Sequence, residues 1–212
     1  MGDKMFMGAS TKQGHDIANK SREIVISLIK DDSKALSKEE QDIVERIVHS
    51  TADSEYAKLV SISSNFVDNN LKALKNNKTL LTDINMVKYG ITQYDGVVEC
   101  YIKNPDVIEI AKNQKITRAA AAIQFAAKND FKGIIVVGNA PTALYEAIKL
   151  YENNEIDLAF IVGVPVGFVG AADSKEALKN SKIPNIIIKG PKGGTPVAVA
   201  CVNSLIQTMK SK

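Results

Sequence analysis

Two histidines, His15 and His49, are the side chains of this 212-residue chain whose ordinary pKa lies near neutral pH, so acid–base chemistry there has few candidates. His49 is the better placed. It closes a helical stretch over 42–50 in which Ile43, Val44, Ile47 and Val48 recur at helical spacing, and it stands beside that apolar stripe rather than in it. Arg46 lies one turn earlier and Ser50-Thr51 follow directly, which places His49 at the edge of a core, near a turn. A histidine at a helix end also interacts favourably with the unpaired carbonyls there, and the sequence by itself favours that plainer reading. His15, in a polar segment ahead of the first helix, carries no such signal.

Other chemistries lack their patterns. Neither histidine has a His or Cys at ligand spacing and the carboxylates are scattered, so no metal site is expected. Cys100 and Cys201 form no CxxC pair and read as core thiols in a reducing compartment. There is no G-x-S-x-G around a serine and no Walker A loop, and no cofactor is expected.

What remains is three glycine-rich turns. An apolar run at 134–137 feeds GNAPTAL (138–144), a second at 160–162 feeds GVPVGFVGAADSKEAL (163–178), and a third at 186–189 feeds Gly190-Pro191-Lys192-Gly193-Gly194. Each passes from strand through turn to helix; Pro141 suits a first helical turn, and Asp173-x-x-Glu176 reads as a capping box. GVPVGFVG does not match G-x-G-x-x-G, and no acidic residue ends a following strand, so a nucleotide fits poorly. Tight turns and close packing would explain each glycine singly. Three such turns in one small domain point instead to backbone N–H donors for a carboxylate-rich ligand, each bond to a charged group contributing roughly 1.5–3 kcal/mol. Arg46, Arg118 and nearby lysines would add charge.

These turns need a frame. Two crossovers imply a parallel α/β sheet with its crevice at the carboxyl ends of the strands. Ahead of it, Ile17, Ser21, Ile24, Val25, Leu28 and Ile29 make one helical face, and Ser37-x-x-Glu40 caps a second helix, giving an N-terminal helical pair. Runs at 59–63, 80–84 and 97–102 add strands, 66–74 and 117–128 read as helices, and a last helix starts near Pro196. The chain reads as a single domain over 14–212, with the Met-, Gly- and Lys-rich residues 1–13 as a disordered arm or tag remnant.

Composition sets outer bounds. With 45% hydrophobic and 24% charged residues the chain can bury a sizeable core. Its net charge of +3 comes from dispersed lysines, without a basic block, which argues against nucleic acid. The longest apolar stretch, 159–172, is interrupted by glycines and Pro165 and falls short of the ~20 residues that span a bilayer, and the first residues lack the order of a signal peptide; no membrane partner and a cytoplasmic location are expected.

Taken together, the residues resemble the precorrin-8X methylmutase family of cobalamin biosynthesis, with its cobalt-precorrin-8 counterparts. The resemblance runs from about Gly14 to Leu205: Ile17 and Ser21, Arg46-Ile47-Val48-His49, Thr82-Asp83, Met86-Val87, Gly90-Ile91, Thr117-Arg118, GNAPTAL, GVPVGFVGAADSKEAL, the late Gly-x-x-Gly-Gly turn and Val202-Asn203. It implies a flavodoxin-like, three-layer α/β/α fold, a homodimer, and a corrinoid polycarboxylate in the crevice. The implied reaction moves a methyl group from C11 to C12 of the macrocycle, formally a 1,5-sigmatropic shift, giving hydrogenobyrinate or cobyrinate. His49 matches the proton donor and acceptor at the ring C nitrogen, and Ser21 and Arg46 match substrate contacts. Arg118, Asn139 and the glycine turns, with Gly167 and Gly193, match pocket lining.

Such a shift needs neither nucleophile nor redox cofactor, which agrees with how little catalytic machinery the residues display. One positioned acid contributes about 10²–10⁴ in rate. Arg22, Ala119, Lys20 and the Gly-Gly-Thr-Pro sequence depart from the family's pattern and bear on fine substrate contacts. A corrinoid carrier on the same scaffold is the main alternative, with a nucleotide-dependent oxidoreductase well behind it. Whether the substrate carries cobalt stays open, because the metal would sit in the ligand.

Overall fold

The computed structural model describes residues 11–64 and 66–212. Most of the expected N-terminal arm, residues 1–10, lies outside the described residues. Thr11 caps the first helix, its hydroxyl accepting from Gly14 N at 3.1 Å, so α1 (Lys12–Ser33) begins ahead of the expected start at Gly14. The Ser37/Glu40 capping box opens α2 (Lys38–Thr51), with Ser37 N donating to the Glu40 carboxylate at 2.8 Å.

After the short α3 (Tyr56–Leu59), strands and helices alternate: β1 (Val60–Ile62), α4 (Phe66–Lys75), β2 (Thr79–Thr82), α5 (Asn85–Gly90) and β3 (Val98–Glu99). Then come α6 (Pro105–Gln114), α7 (Arg118–Lys128), β4 (Lys132–Val137), α8 (Pro141–Glu152), β5 (Asp157–Gly163), α9 (Ala171–Lys179), β6 (Asn185–Ile188) and α10 (Thr195–Ser211). The sheet order is β1-β6-β5-β4-β2-β3, parallel except for β1 against β6. Counting only the parallel strands, that is the flavodoxin-like order 2-1-3-4-5, with β1 added as an antiparallel edge. Its switch point falls between the carboxyl ends of β2 and β4.

Side chains alternate across the sheet with period two. Leu80, Ile134, Val136, Phe160, Val162, Ile186 and Ile188 face one core, closed by α2, α4, α5 and α10. Leu81, Ile135, Val137, Ile161 and Ile187 face the other, closed by α7, α8 and α9. The result is three layers, with α1 lying outside them, mainly on α2 and α3.

Several local expectations shift. The inward face assigned to α1 is only partly inward: Val25 and Ile29 are buried, whereas Ile17, Ile24 and Leu28 are 63%, 53% and 61% exposed, because α1 has a neighbour on one side only. Asp173 and Glu176 form no capping box. The chain is already helical at Ala171, entered through Gly170 at φ 74°, so Asp173 falls in the first turn, where its charge suits the helix dipole. The run at 97–102 yields only a two-residue strand, and Cys100 is half-buried. The helix α6, unassigned from sequence, starts on Asn104, whose side chain accepts from Asp106 N at 2.8 Å, with Pro105 at N1.

Candidate functional site

α2 delivers His49. Ile43, Val44, Ile47 and Val48 anchor the helix in the core, which fixes the opposite stripe, Asp42, Glu45, Arg46 and His49, toward α1 and α10. Near the helix end, side chains other than the histidine reach back to the backbone: Ser50 Oγ and Thr51 Oγ1 each donate to Ile47 O at 2.9 Å. His49 does something else. Its Nδ1 lies 2.8 Å from Ser21 Oγ of α1, so the plainer helix-capping reading gives way to an oriented imidazole.

Arg46, one turn earlier, donates from Nη1 to Gln207 Oε1 of α10 at 3.1 Å. Burial, and secondarily the Arg46 charge, hold the His49 pKa below its ordinary 6.5. A depressed pKa makes the imidazolium a stronger acid while leaving neutral imidazole ready to take a proton back.

His49 is shared by two clefts. One, about 460 Å³, is walled by Ile17, Ile24, Val25, Leu28 and Val48 with Lys20 and Ser21 among them. The other, about 240 Å³, runs from Arg46 and His49 to Pro196, Val199 and Asn203 of α10. Apolar walls with a few convergent polar groups suit a large flat ligand. A larger cleft of about 860 Å³ lies at the amino ends of β4 and β5, lined by Asp130, Lys132, Asp157 and Lys182 among others. It contains no histidine and sits at the opposite end of the strands from the turns, so volume alone does not mark the chemistry.

The glycine turns behave differently from the expectation. At the switch point, Asp83, 1% exposed, accepts all three N–H groups of the first turn: Gly138 N at 3.0 Å, Asn139 N at 2.8 Å and Ala140 N at 2.7 Å. The anion that this nest takes is the chain's own. The second and third turns bond to each other, Gly167 N to Pro191 O at 3.0 Å and Gly194 N to Val164 O at 2.8 Å. A Cβ at Gly193, where φ is 149°, would stand 2.3 Å from Val164 O, which is why glycine is required. These five N–H donors therefore build a floor instead of offering themselves to a ligand.

That floor is tied to the end of α2. Lys192 Nζ reaches Asp53 Oδ2 at 2.5 Å and Glu55 Oε2 at 2.7 Å, Tyr56 Oη donates to Gly193 O at 3.3 Å, and the buried Lys175 donates to Lys192 O at 2.5 Å. Asp53 is four residues past His49. Ser21, Arg46 and His49 thus converge, and Gly167 and Gly193 share the neighbouring turn pair. Arg118 and Asn139 do not join them: both are exposed, on adjoining turns linked by Thr117 Oγ1 and Thr142 Oγ1 at 2.6 Å. Gln207, Asp83 and Lys175 were not singled out as functional from sequence. Lys175 reads as an ordinary surface lysine in DSKEAL, and only the tertiary structure shows it buried.

Among the described residues no group of three or more His, Cys, Asp or Glu side chains is disposed to hold a metal, and no helix is long and apolar enough to cross a membrane. Fold and site together define a flavodoxin-like α/β protein with one oriented acid–base side chain beside an arginine. The family model for precorrin-8X methylmutase matches residues 16–208, and the chain belongs to that family of isomerases of cobalamin biosynthesis. It is 54% identical to the cobalt-precorrin-8 methylmutase of Methanothermobacter thermautotrophicus, over 98% of this chain and 99% of the relative. The cobalt-precorrin-8 methylmutase of Methanocaldococcus jannaschii is 49% identical, over 97% and 99%. A solved precorrin-8X methylmutase from Thermus thermophilus superposes with a TM-score of 0.81 at 31% identity, covering 92% of this chain and 96% of that one.

Proposed function

We propose that the protein moves the methyl group of cobalt-precorrin-8 from C11 to C12, giving cobyrinate, and that His49 is the proton donor and acceptor. The hydrogen bond between Ser21 and His49, beside Arg46, is the observation that carries this reading. As imidazolium, His49 donates Nδ1–H to Ser21 Oγ and leaves Nε2–H free to protonate the ring C nitrogen. Protonation draws electron density from the ring, the methyl migrates with its bonding pair, and the nitrogen returns the proton to Nε2. Nothing is oxidised or reduced, and no proton is gained overall.

With the N–H groups of Gly138, Asn139, Ala140, Gly167 and Gly194 internally occupied, side chains are left to meet the substrate's carboxylate arms: Arg46 and Lys20 at the clefts and, farther out, Arg118 and Asn139. Gly167 and Gly193 contribute as floor. The two cobalt-named relatives, at 54% and 49% identity, support the cobalt form of the substrate over the metal-free one. The exposed Ile17, Ile24 and Leu28 support a homodimer that buries this face of α1. Residues 14–212 act as one domain, and the protein works in the cytoplasm.

The test is anaerobic incubation of the purified protein with cobalt-precorrin-8 and, separately, with precorrin-8X, following the absorption change as conjugation is rearranged. Conversion of the cobalt form, lost in His49→Ala, is the expected result. Tight binding of both without conversion would replace the mutase reading with a carrier.

A further inference from the structure

We propose that Arg22 and Glu45 form a clasp that sets the register of α1 on α2 and so brings Ser21 to His49, making both of them positioning residues for the proposed proton transfer. The inference rests on the proposed role of His49 for its catalytic consequence, though not for its geometry.

The need for a clasp follows from how thinly α1 is held. Of its 22 residues only Val25, Ile29 and Ser33 are buried, all in its second half. None of residues 12–24, the half that carries Ser21, is buried. Apolar packing therefore does little to stop that half from sliding or lifting, and a slide of one helical turn, about 5.4 Å, would carry Ser21 out of reach of the imidazole.

Arg22 supplies what packing does not. Its Nε stands 2.6 Å from Glu45 Oε1, and its second terminal nitrogen stands 3.4 Å from Asp42 Oδ1. Glu45 is 2% exposed, and neither Arg22 Nε nor Glu45 Oε1 has a hydrogen-bond partner, so each is compensated by the ion pair alone. Burial pushes the Glu45 pKa up and the Arg22 charge pulls it back, so the carboxylate depends on this arginine.

Position does the rest. Ser21 and Arg22 are consecutive on α1, while Asp42, Glu45 and His49 follow one stripe of α2 at i, i+3 and i+7. The ion pair thus lies one turn from the Ser21–His49 hydrogen bond, close enough to dictate it. Lys38 Nζ, 2.6 Å from Asp42 Oδ1, holds the second carboxylate toward Arg22.

The experiment uses full-length Arg22→Met, which keeps the aliphatic stem, and the charge-reversed pair Arg22→Glu/Glu45→Arg. The His49 ring nitrogens are read by NMR without substrate, and kcat and KM with cobalt-precorrin-8. Arg22→Met is expected to perturb the ring-nitrogen resonances and to lower kcat by up to about tenfold, the loss expected when the Ser21–His49 hydrogen bond is removed, with little change in KM. The reversed pair should recover most of both. If Arg22→Met does not fold, Arg22→Leu/Glu45→Met replaces it, since an apolar pair of similar volume tolerates this position. A folded variant with wild-type His49 resonances overturns the clasp, as does a reversed pair no better than Arg22→Met. A wild type that converts no corrinoid would sink the mutase reading while leaving the resonance test intact.

Discussion

Ser21 Oγ and His49 Nδ1 lie 2.8 Å apart across two helices, 28 residues apart in sequence. The bond holds the imidazole plane and occupies Nδ1, which leaves Nε2 to do the chemistry. Ser21→Ala removes one hydrogen bond without touching the core. Its net worth of about 1–1.5 kcal/mol translates to a fall in kcat of roughly tenfold, with an unchanged circular dichroism spectrum. A kcat equal to wild type would show that His49 is oriented by something else.

Burial and Arg46 set the acidity of His49. Because the pKa is depressed below 6.5, the imidazolium required for donation grows as the pH falls, and kcat/KM should decline as pH rises through a midpoint below 6.5. Arg46→Gln removes the repulsion but not the burial, so the NMR midpoint of His49 should move up toward 6.5 without passing it. A midpoint that stays put would assign the whole depression to burial. The same depression has a folding consequence: the unfolded chain takes up this proton more readily, so the stability contributed by neutral His49 is full above pH 6.5 and is lost as pH falls through the folded value.

Asp83 makes a different kind of prediction. Its two oxygens serve three N–H donors at the switch point, and Asn in its place would offer one oxygen and turn an amide N–H₂ against a donor. Asp83→Asn should cost about 1–3 kcal/mol, read as a lower Tm in calorimetry, with loosened amide exchange at 138–140. Near-wild-type stability would mean that the turn holds its shape by the Pro141 helix start alone.

How far the sequence reached depends on what each feature rests on. The parallel sheet and α2 were legible because they follow from local pattern: a β-branched run at 134–137, period 3.6 in Ile43, Val44, Ile47 and Val48, and a capping box at Ser37. Arg46 and His49 could be placed together because they share a helix, whereas Ser21 joined them only by resemblance, since its distance to His49 depends on how α1 crosses α2. The glycine turns misled in one respect. Their N–H groups are the kind that bind anions, but who takes them is decided by tertiary neighbours, Asp83 for Gly138, Asn139 and Ala140, and facing carbonyls for Gly167 and Gly194. Likewise α1 shows a face of five apolar residues and Ser21 yet buries only Val25 and Ile29 of it, because amphipathic spacing states what a helix can cover and not what lies against it.

Lys175 offers a test of the floor beside the site. Its side chain is 1% exposed, its ammonium donates to Lys192 O at 2.5 Å, and burial lowers its pKa from 10.5 to about 8. At neutral pH the fold thus holds a poorly solvated charge, at a cost on the order of 3 kcal/mol. With the folded pKa depressed, the native state releases this proton near pH 8 while the unfolded chain keeps it to 10.5, so stability rises across that window. Cys201, whose pKa burial raises to about 12, and other groups pull the other way at the alkaline end, so the informative quantity is a difference. Thermal unfolding of wild type and Lys175→Met, measured from pH 7 to 10.5, should show wild type gaining on the variant as pH increases. Parallel curves would mean that the lysine is better solvated than its position implies. The variant should also loosen the hold of Lys192 on Asp53, because the Lys192 carbonyl loses its donor on one side of the turn while its ammonium still pulls on the other.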